Sequence, residues 1–310
     1  MIVCFLFTKC KYNIFYTKLL FAILPKKSKL AVRMKKVAIQ GYRGSFHEEA
    51  ARLFYPAAPG EMPEVVECNT FDDLYRAMES GEADAAVMAI ENTVSGGLIR
   101  NFELLERHDA RIKGEVYLRI QQNLMALPGQ TFEDIREVRT HYMAINQTRD
   151  FFEKECPWIK VVESEDTAKS AAEIAREGLM GIGAVGSALA AGLYGLEILR
   201  ESIETYKENF TRFVILDPAL SIPKDEIDKA SICFTLAHEV GSLSAILTIL
   251  SFYGMNLTRI QSLPIPGKQW QYFFYADFKF GSYARYSQAL SAIMPLVEGL
   301  KILGEYKSAI

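Results

Sequence analysis

The feature that most restricts the fold is the alternation of short apolar runs with amphipathic segments from residue 36 onward. Lys36–Gln40, Val65–Cys68 and Ala85–Ile90 have the composition of buried strands. Between them, one helical pattern runs from Ser45 to about Phe54 and another covers Phe71–Ser80. This βαβαβ order predicts a parallel sheet with helices on its faces.

A second set of alternating segments follows between residues 115 and 194. It repeats the organisation of the first set, which predicts two similar α/β lobes in tandem with a ligand cleft between them. The expected strands lie within Glu115–Ala126 and at Glu137–Thr140, Lys160–Glu163 and Gly181–Ala184, and the expected helices are Gln147–Glu155, Thr167–Glu177 and Ser187–Tyr194.

The C-terminal part of the chain has a different order. Residues 218–228 contain two prolines and several charges and are expected to form a linker. In residues 229–310 the order is strand, helix, strand, strand, helix, which predicts a ferredoxin-like α+β module. The predicted fold is α/β: a bilobal, periplasmic-binding-protein-like domain at residues 34–217, followed by this module. The module's segments are Lys229–Leu236, Ser242–Tyr253, Leu257–Ser262, Gln271–Lys279 and Ala284–Leu300.

Residues 1–33 differ from the rest of the chain in charge. They hold seven of the 35 Lys and Arg residues and none of the 38 acids, so residues 34–310 carry 28 bases against 38 acids. An acidic body repels phosphates, which argues against a nucleic-acid partner. Lysines break the leader's apolar runs too often for a membrane span. We expect translation to start at Met34, residues 1–33 to be dispensable, and the protein to be cytoplasmic.

Cysteine and histidine usage favours neither a disulfide framework nor a metal site. Of the five cysteines, two lie in residues 1–33, and Cys68, Cys156 and Cys233 are isolated from one another. The four histidines form no spacing typical of a zinc site. We therefore expect no metal.

Two polar loops follow strands of the first lobe, at the sheet edge where α/β proteins bind ligands. In the first loop, Ser45 and Glu48 match a capping box, and the amides at that helix start could hold an anion; an ordinary capped turn is the alternative. The second loop holds four polar side chains that either contact a ligand or cap the next helix: Glu91, Asn92, Thr93 and Ser95.

The stretch Asn209–Phe213, NFTRF, leads directly into an apolar strand. A threonine hydroxyl beside an arginine offers a hydrogen-bond donor next to a guanidinium that can hold a carboxylate with two bonds. The alternative is an edge strand whose arginine pairs with a surface acid. A weaker candidate is DTAKSAA, a helix start with Asp166 or Thr167 as its cap.

Together, GSFHEEAA, IENTVSGGL, DTAKSAA, LAAGLYGLEIL and NFTRF stand in the order typical of the prephenate dehydratase family, which residues 35–216 resemble. Residues 229–300 resemble an ACT domain, with GSLSAIL and NLTRIQSLP where phenylalanine-response motifs stand. The resemblance implies a cofactor-free step of L-phenylalanine biosynthesis. Prephenate loses its ring carboxylate as carbon dioxide and its ring hydroxyl as water, which gives phenylpyruvate.

The resemblance also implies roles for individual residues. Thr211 is expected to assist departure of the hydroxyl, Arg212 to hold a substrate carboxylate, and Phe213 to pack against the pair and orient it. No cofactor or metal is implied. The other residues expected around the substrate are Ser45, Glu91, Asn92, Thr93, Ser95, His141, Gln147, Thr167 and Asn209.

For the C-terminal module, the resemblance implies L-phenylalanine as an effector and assembly into a homodimer or homotetramer. Gln261 and Leu263 replace a Glu and an Arg that are usual in the family's motif, so we expect weaker inhibition. The residues expected to bind the effector are Gly241, Ser242, Leu243, Ser244, Asn256, Leu257, Gln261, Ser262, Leu263 and Pro264.

Two other functions remain open at this point. A non-catalytic bilobal binding protein shares the predicted architecture, but it would need export and would not need a Thr–Arg pair in its cleft. An arogenate dehydratase would use the same site on an aminated substrate, so only the pocket for the substrate side chain distinguishes it.

Overall fold

The computed structural model describes residues 34–55, 62–265 and 267–310, so the predicted leader lies outside the described residues. Within these ranges, no helix is both long and apolar enough to cross a membrane. The same ranges contain no group of three or more His, Cys, Asp or Glu side chains that could hold a metal ion. Cys68, Cys156 and Cys233 are buried free thiols.

The first lobe is a mixed sheet with the strand order β5-β11-β3-β1-β2. Strand β1 pairs in parallel with β2 and β3, as the βαβαβ pattern predicts, whereas β11 is antiparallel to β3 and β5. Alternate residues of β3 and β11 face opposite cores, because successive side chains of a strand point to opposite sides. The elements are β1 Lys36–Gln40, α1 Phe46–Phe54, β2 Glu64–Cys68, α2 Phe71–Glu79, β3 Ala85–Asn92, β4 Gly96–Gly97, α3 Ile99–Arg107, β5 Ile112–Arg119 and, from later in the chain, β11 Phe210–Leu216.

The second lobe is a separate sheet with the order β10-β6-β9-β7-β8. The chain enters it after β5 and returns before β11, so two crossing segments connect the lobes. Helix α3 of the first lobe and strand β10 of the second were not predicted from the sequence. The elements are β6 Asn123–Ala126, β7 Glu137–His141, α4 Tyr142–Glu155, β8 Lys160–Ser164, α5 Thr167–Glu177, β9 Ile182–Gly186, α6 Ala188–Tyr194 and β10 Glu197–Arg200.

Residues 229–310, the C-terminal module, form an antiparallel sheet in the order β13-β14-β12-β15. Two helices pack on this sheet around a core that contains Phe234, Phe278 and Tyr286. The order βαββαβ is ferredoxin-like, the predicted class, with one strand more than the predicted order of five elements. The elements are β12 Lys229–Thr235, α7 Ser242–Phe252, β13 Asn256–Pro264, β14 Tyr272–Lys279, α8 Tyr283–Ile293 and β15 Glu298–Tyr306.

One helix of the module was predicted too long. The pattern over Ala284–Leu300 predicts a helix to Leu300, but α8 ends at Ile293 and a fourth strand, β15, begins at Glu298. Pro295 lies in a short 3₁₀ turn between them. Because proline lacks the amide hydrogen that a helix interior needs, the chain leaves the helix there.

A single pair of residues joins the module's sheet to that of the first lobe. Gly304 of β15 pairs in parallel with Ile112 of β5, and the two sheets become one. A Cβ atom at position 304 would lie 2.4 Å from the Cβ of Ile112 and 2.5 Å from its carbonyl oxygen. The junction therefore requires glycine, since no larger residue fits between the strands.

Candidate active site

A cavity of about 350 Å³ lies between the two lobes. Its wall includes the start of α1, the end of β3, the start of β11, and the starts of α4 and α5. Eight of the residues predicted to form the site contribute to this wall: Ser45, Asn92, Ser95, His141, Gln147, Thr167, Thr211 and Phe213. The cleft between two lobes thus brings together side chains from distant parts of the chain.

The Thr211 hydroxyl is held in the cleft by Asn92. The Asn92 side-chain nitrogen donates to Thr211 Oγ1 at 2.9 Å and to Asn209 Oδ1 at 2.7 Å. The Asn92 side-chain oxygen accepts from the backbone amides of Val94 and Ser95, which can only donate, and this fixes the orientation of the amide. Because Oγ1 of Thr211 accepts from Asn92, its hydrogen remains available to a ligand.

Arg212 does not face the cleft, contrary to the role expected for it. Its guanidinium bonds to Glu115 Oε2 at 2.7 Å, to Tyr306 Oη at 2.7 Å and to the carboxylate of Asp277. The side chain is only 4% exposed. Strand geometry explains the error: Thr211 and Phe213 point to one side of β11, so Arg212 between them must point to the other.

These contacts make a buried charged network between the first lobe and the C-terminal module. Lys229 of the module lies 2.8 Å from Glu115 Oε2, and Asp277 and Tyr306 also belong to the module. Burial by itself raises the pKa of the Asp277 carboxyl. The positive charges of Arg212 and Lys229, together with hydrogen bonds from Arg212 and Ser231, outweigh this effect and lower that pKa. The network therefore keeps its charges paired inside the protein.

Three further residues expected around the substrate are not part of the cavity wall. Thr93 is exposed, donates to the carbonyl of Glu208 and accepts from the amide of Phe210. Asn209 is buried behind Asn92. Glu91 pairs with Arg259 of the module, with 3.3 Å between Oε2 and Nη1. These contacts support the end of β3, where Asn92 lies, so the three residues shape the wall from behind.

The start of α1 differs from the predicted capping box. Glu48 accepts from the backbone amide of Gly44 and pairs with Arg52, and the Ser45 side chain caps no amide. The Ser45 hydroxyl is buried at the cavity wall and has no hydrogen-bond partner among the described residues. A buried hydroxyl without a partner is costly, so this one is suited to bond a ligand.

Gln122 was not among the predicted site residues, but it lies in the cavity wall. Its side-chain nitrogen donates to Gln147 at 3.0 Å, while its side-chain oxygen is buried with no partner in the described part of the chain. His141 caps α4 by accepting from the amide of Met143 at 3.4 Å. Burial lowers the pKa of His141, despite the opposing charges of Asp166 and Glu163.

No lysine or arginine occurs among the described residues that line the cleft. The positive ends of three helices point there instead, since α1, α4 and α5 all begin at the cavity wall. The first-turn amides of a helix have no partner within the helix and carry a partial positive charge. Two carboxylates, Glu165 and Asp166, also line the cleft, and Asp166 already accepts from the first-turn amides of Ala168 and Lys169 in α5. Anionic groups in this cleft would therefore be met by neutral donors and helix starts, and would have to lie away from these two carboxylates.

The residues predicted to bind the effector divide between two ends of the module's sheet. Phe273 pairs with Leu263 of β13 and with Thr235, the last residue of β12. Because α7 follows β12, Gln261–Pro264 lies at the same end of the sheet as the start of α7, Gly241–Ser244. Asn256 and Leu257 pair with Lys279 and Phe278 near the opposite end. Leu263 is buried in the core shared with the first lobe.

The family model of prephenate dehydratase matches residues 37–219 of this chain. "Arogenate dehydratase 5, chloroplastic" of Arabidopsis thaliana is 35% identical over 289 residues, which cover 87% of this chain and 67% of the relative. "Bifunctional chorismate mutase/prephenate dehydratase" of Aquifex aeolicus is 33% identical over 296 residues, which cover 95% of this chain and 78% of the relative.

Two solved structures share this fold over most of the chain. One is described as "GqqA- a novel type of quorum quenching acylases"; it is 30% identical, with a TM-score of 0.77, and the match covers 89% of this chain and 98% of that chain. The other is a prephenate dehydratase from Arthrobacter aurescens in complex with L-Phe. It is 28% identical, with a TM-score of 0.77 and coverage of 88% and 89%.

Proposed function

This chain belongs to the prephenate dehydratase family, and we propose that Thr211 donates the hydrogen bond that assists departure of the substrate's ring hydroxyl. The reaction is the lyase reaction of the family, the conversion of prephenate to phenylpyruvate. The bond from the ring to its carboxylate breaks, and its electron pair enters the ring. The carbon–oxygen bond breaks with its electron pair leaving on the oxygen, which takes up a proton and departs as water.

The observation that carries this assignment is the bond from Asn92 to Thr211 Oγ1. It leaves the threonine hydrogen free to point at the leaving oxygen. A threonine hydroxyl is a weak acid, so a well-placed hydrogen bond supplies the stabilisation rather than complete proton transfer. Phe213, on the same side of β11, forms the wall beside it.

Kinetics of Thr211 variants test the assignment. The bond strengthens as negative charge develops on the leaving oxygen, so Thr211→Ala should lower kcat by about 10²–10³-fold with little change in KM. Thr211→Ser keeps the hydroxyl and should retain most of the activity. Thr248→Ala, at an exposed threonine of α7, is the control. A folded Thr211→Ala protein as fast as the wild type would move the role to another group in the cleft.

The choice between prephenate and arogenate depends on the side-chain end of the substrate. Prephenate carries a keto oxygen, which accepts hydrogen bonds, where arogenate carries an ammonium group, which donates them. The cleft wall offers unpaired groups of both kinds, the Ser45 hydroxyl and the Gln122 carbonyl oxygen. We propose prephenate as the substrate, and comparison of kcat/KM for both compounds decides this.

We further propose that the C-terminal module is an ACT domain that binds L-phenylalanine and modulates the cleft. Its ferredoxin-like order and the L-Phe complex of the Arthrobacter aurescens relative support this proposal. The effector site would lie at the end of the sheet where α7 starts. Gln261 lacks the charge of the usual glutamate, so phenylalanine should inhibit weakly, as calorimetry and inhibition assays would measure.

A direct contact between the module and the end of β3 at the cleft supports such modulation. Arg259 of β13 reaches Glu91 and lies over the ring of Phe102 at 4.1 Å. Glu91 precedes Asn92, which holds Thr211. A shift of β13 on effector binding would therefore reach the residue next to the partner of Thr211.

The open edge of the module's sheet favours a homodimer or a dimer of dimers. Strand β13 pairs only with β14 among the described strands, and Leu257 and Ile260 on it are exposed. Unpaired strand edges with apolar side chains are readily covered by a second copy of the chain. Sedimentation analysis of the purified protein tests this assembly.

A further inference from the structure

His47, in the first turn of α1, forms part of the cleft wall and was not singled out from the sequence. Its ring meets the ring of Phe213 edge-on at 5.0 Å and lies 5.6 Å from the ring of Phe71. These contacts fix the imidazole beside β11 on the side that carries Thr211. His47 is thus near the proposed reaction centre without bonding to Thr211.

The hydrogen bonding of His47 defines which ring nitrogen carries its proton. The backbone amide of Ala89 points to Nε2 at 3.4 Å, and a backbone amide can only donate, so Nε2 must accept. Burial lowers the pKa of His47 to about 4, so the ring is neutral near pH 7. Its single proton is therefore on Nδ1.

The Nδ1–H group has no acceptor among residues 34–55, 62–265 and 267–310. The imidazole is only partly buried, and Nδ1 is not among the atoms that are sealed from solvent without a partner. The cleft therefore holds an uncharged donor that the protein itself does not use.

The position of this donor relative to Thr211 suggests what it meets. Thr211 and Phe213 are two residues apart on one side of β11, a separation of about 6–7 Å. That distance is comparable to the length of the substrate ring with its substituents. If Thr211 contacts the ring hydroxyl, a donor beside Phe213 meets the opposite ring carbon, which carries the carboxylate and the pyruvyl group.

We propose that His47 is a substrate-binding residue whose Nδ1–H donates to an oxygen on that opposite ring carbon, an inference that rests on the proposed function of Thr211. An uncharged donor suits this place. A cation would bind the ring carboxylate strongly in the ground state and lose that interaction as neutral carbon dioxide forms, which would raise the barrier. His47 gives orientation with less of that penalty.

Paired variants test the proposal. His47→Phe keeps an aromatic ring but removes the donor, and should raise KM for prephenate about tenfold while kcat changes less than about threefold. His47→Asn places an uncharged N–H near the position of Nδ1 and should restore much of the loss. A rise for prephenate alone assigns the keto oxygen as acceptor, and an equal rise for arogenate assigns a carboxylate oxygen, which both compounds carry.

A measurement on the wild-type protein is independent of how the variants fold. Nitrogen-15 NMR of labelled histidine should show His47 neutral and protonated on Nδ1 at pH 7. A proton on Nε2, or an unchanged KM in folded His47→Phe, would overturn the proposal. The Thr211 assignment is tested by kcat and this proposal by KM and the tautomer, so failure of one is distinguishable from failure of the other.

Discussion

Replacing Arg212 separates two roles that the sequence alone could not distinguish, a clamp for the substrate and a bridge between domains. The structure favours the bridge, because Arg212 is 4% exposed and bonds to Glu115, Asp277 and Tyr306. We therefore expect Arg212→Ala mainly to lower the free energy of unfolding, with a smaller effect on substrate affinity.

The size of the effect follows from the charges that remain. After Arg212→Ala, Glu115 still pairs with Lys229 at 2.8 Å, but the Asp277 carboxylate loses its guanidinium partner. Removing one partner of a buried ion pair typically costs ~3–5 kcal/mol. Domains are usually stable by only ~5–15 kcal/mol, so the variant should unfold at clearly lower denaturant concentration.

Urea unfolding followed by circular dichroism measures this loss. Arg100→Ala is a matched control, because Arg100 also pairs with an aspartate, Asp72, at 2.6 Å but is 74% exposed. An exposed pair contributes ~0–1 kcal/mol, so this control should unfold close to the wild type. If Arg212→Ala is as stable as the control yet has a greatly raised KM, the bridge assignment is wrong and Arg212 contacts the substrate.

Two further predictions concern the contacts between the module and the first lobe. The pKa of Asp277 is lower in the folded chain than its unfolded value of about 4, so this carboxylate stabilises the fold above that pH and its contribution is lost as pH falls through the folded pKa. Asp277→Asn should therefore make the free energy of unfolding depend less on pH in the acidic range. An unchanged pH dependence would contradict the network. Arg259→Ala should leave phenylalanine binding measurable by calorimetry but reduce the inhibition that it causes; undiminished inhibition would show that the contact with Glu91 carries no coupling.

The alternation of strands and helices was sufficient to predict most elements of the two lobes and the first five elements of the module, because each of these has its own local pattern. The boundaries of α5, Thr167–Glu177, were predicted correctly, since Asp166 caps its start and Gly178 ends it in a left-handed conformation. The last strand was missed because the run after Pro295 continues an apolar pattern that a helix and a strand share.

The direction of side chains around the site was harder to predict. In NFTRF, the side chains of a strand alternate, so the sequence alone could have predicted that Thr211 and Arg212 point to opposite sides of the sheet. The partners of Arg212 were not, because Asp277 and Tyr306 lie 65 and 94 residues further along the chain. Likewise, the tautomer of His47 depends on an amide 42 residues away, and only the folded sheet brings them together.

Because of the junction between Gly304 and Ile112, the C-terminal module cannot be removed without harm to the first lobe. A chain shortened to residue 217 would expose the edge of β5 and leave the guanidinium of Arg212 without Asp277 and Tyr306. An uncovered strand edge invites pairing with other chains, so the shortened protein would tend to aggregate. If the proposed regulation by phenylalanine holds, its loss by simple truncation is thus unfavourable for this enzyme, and point substitutions at the surface of the module are the easier evolutionary route.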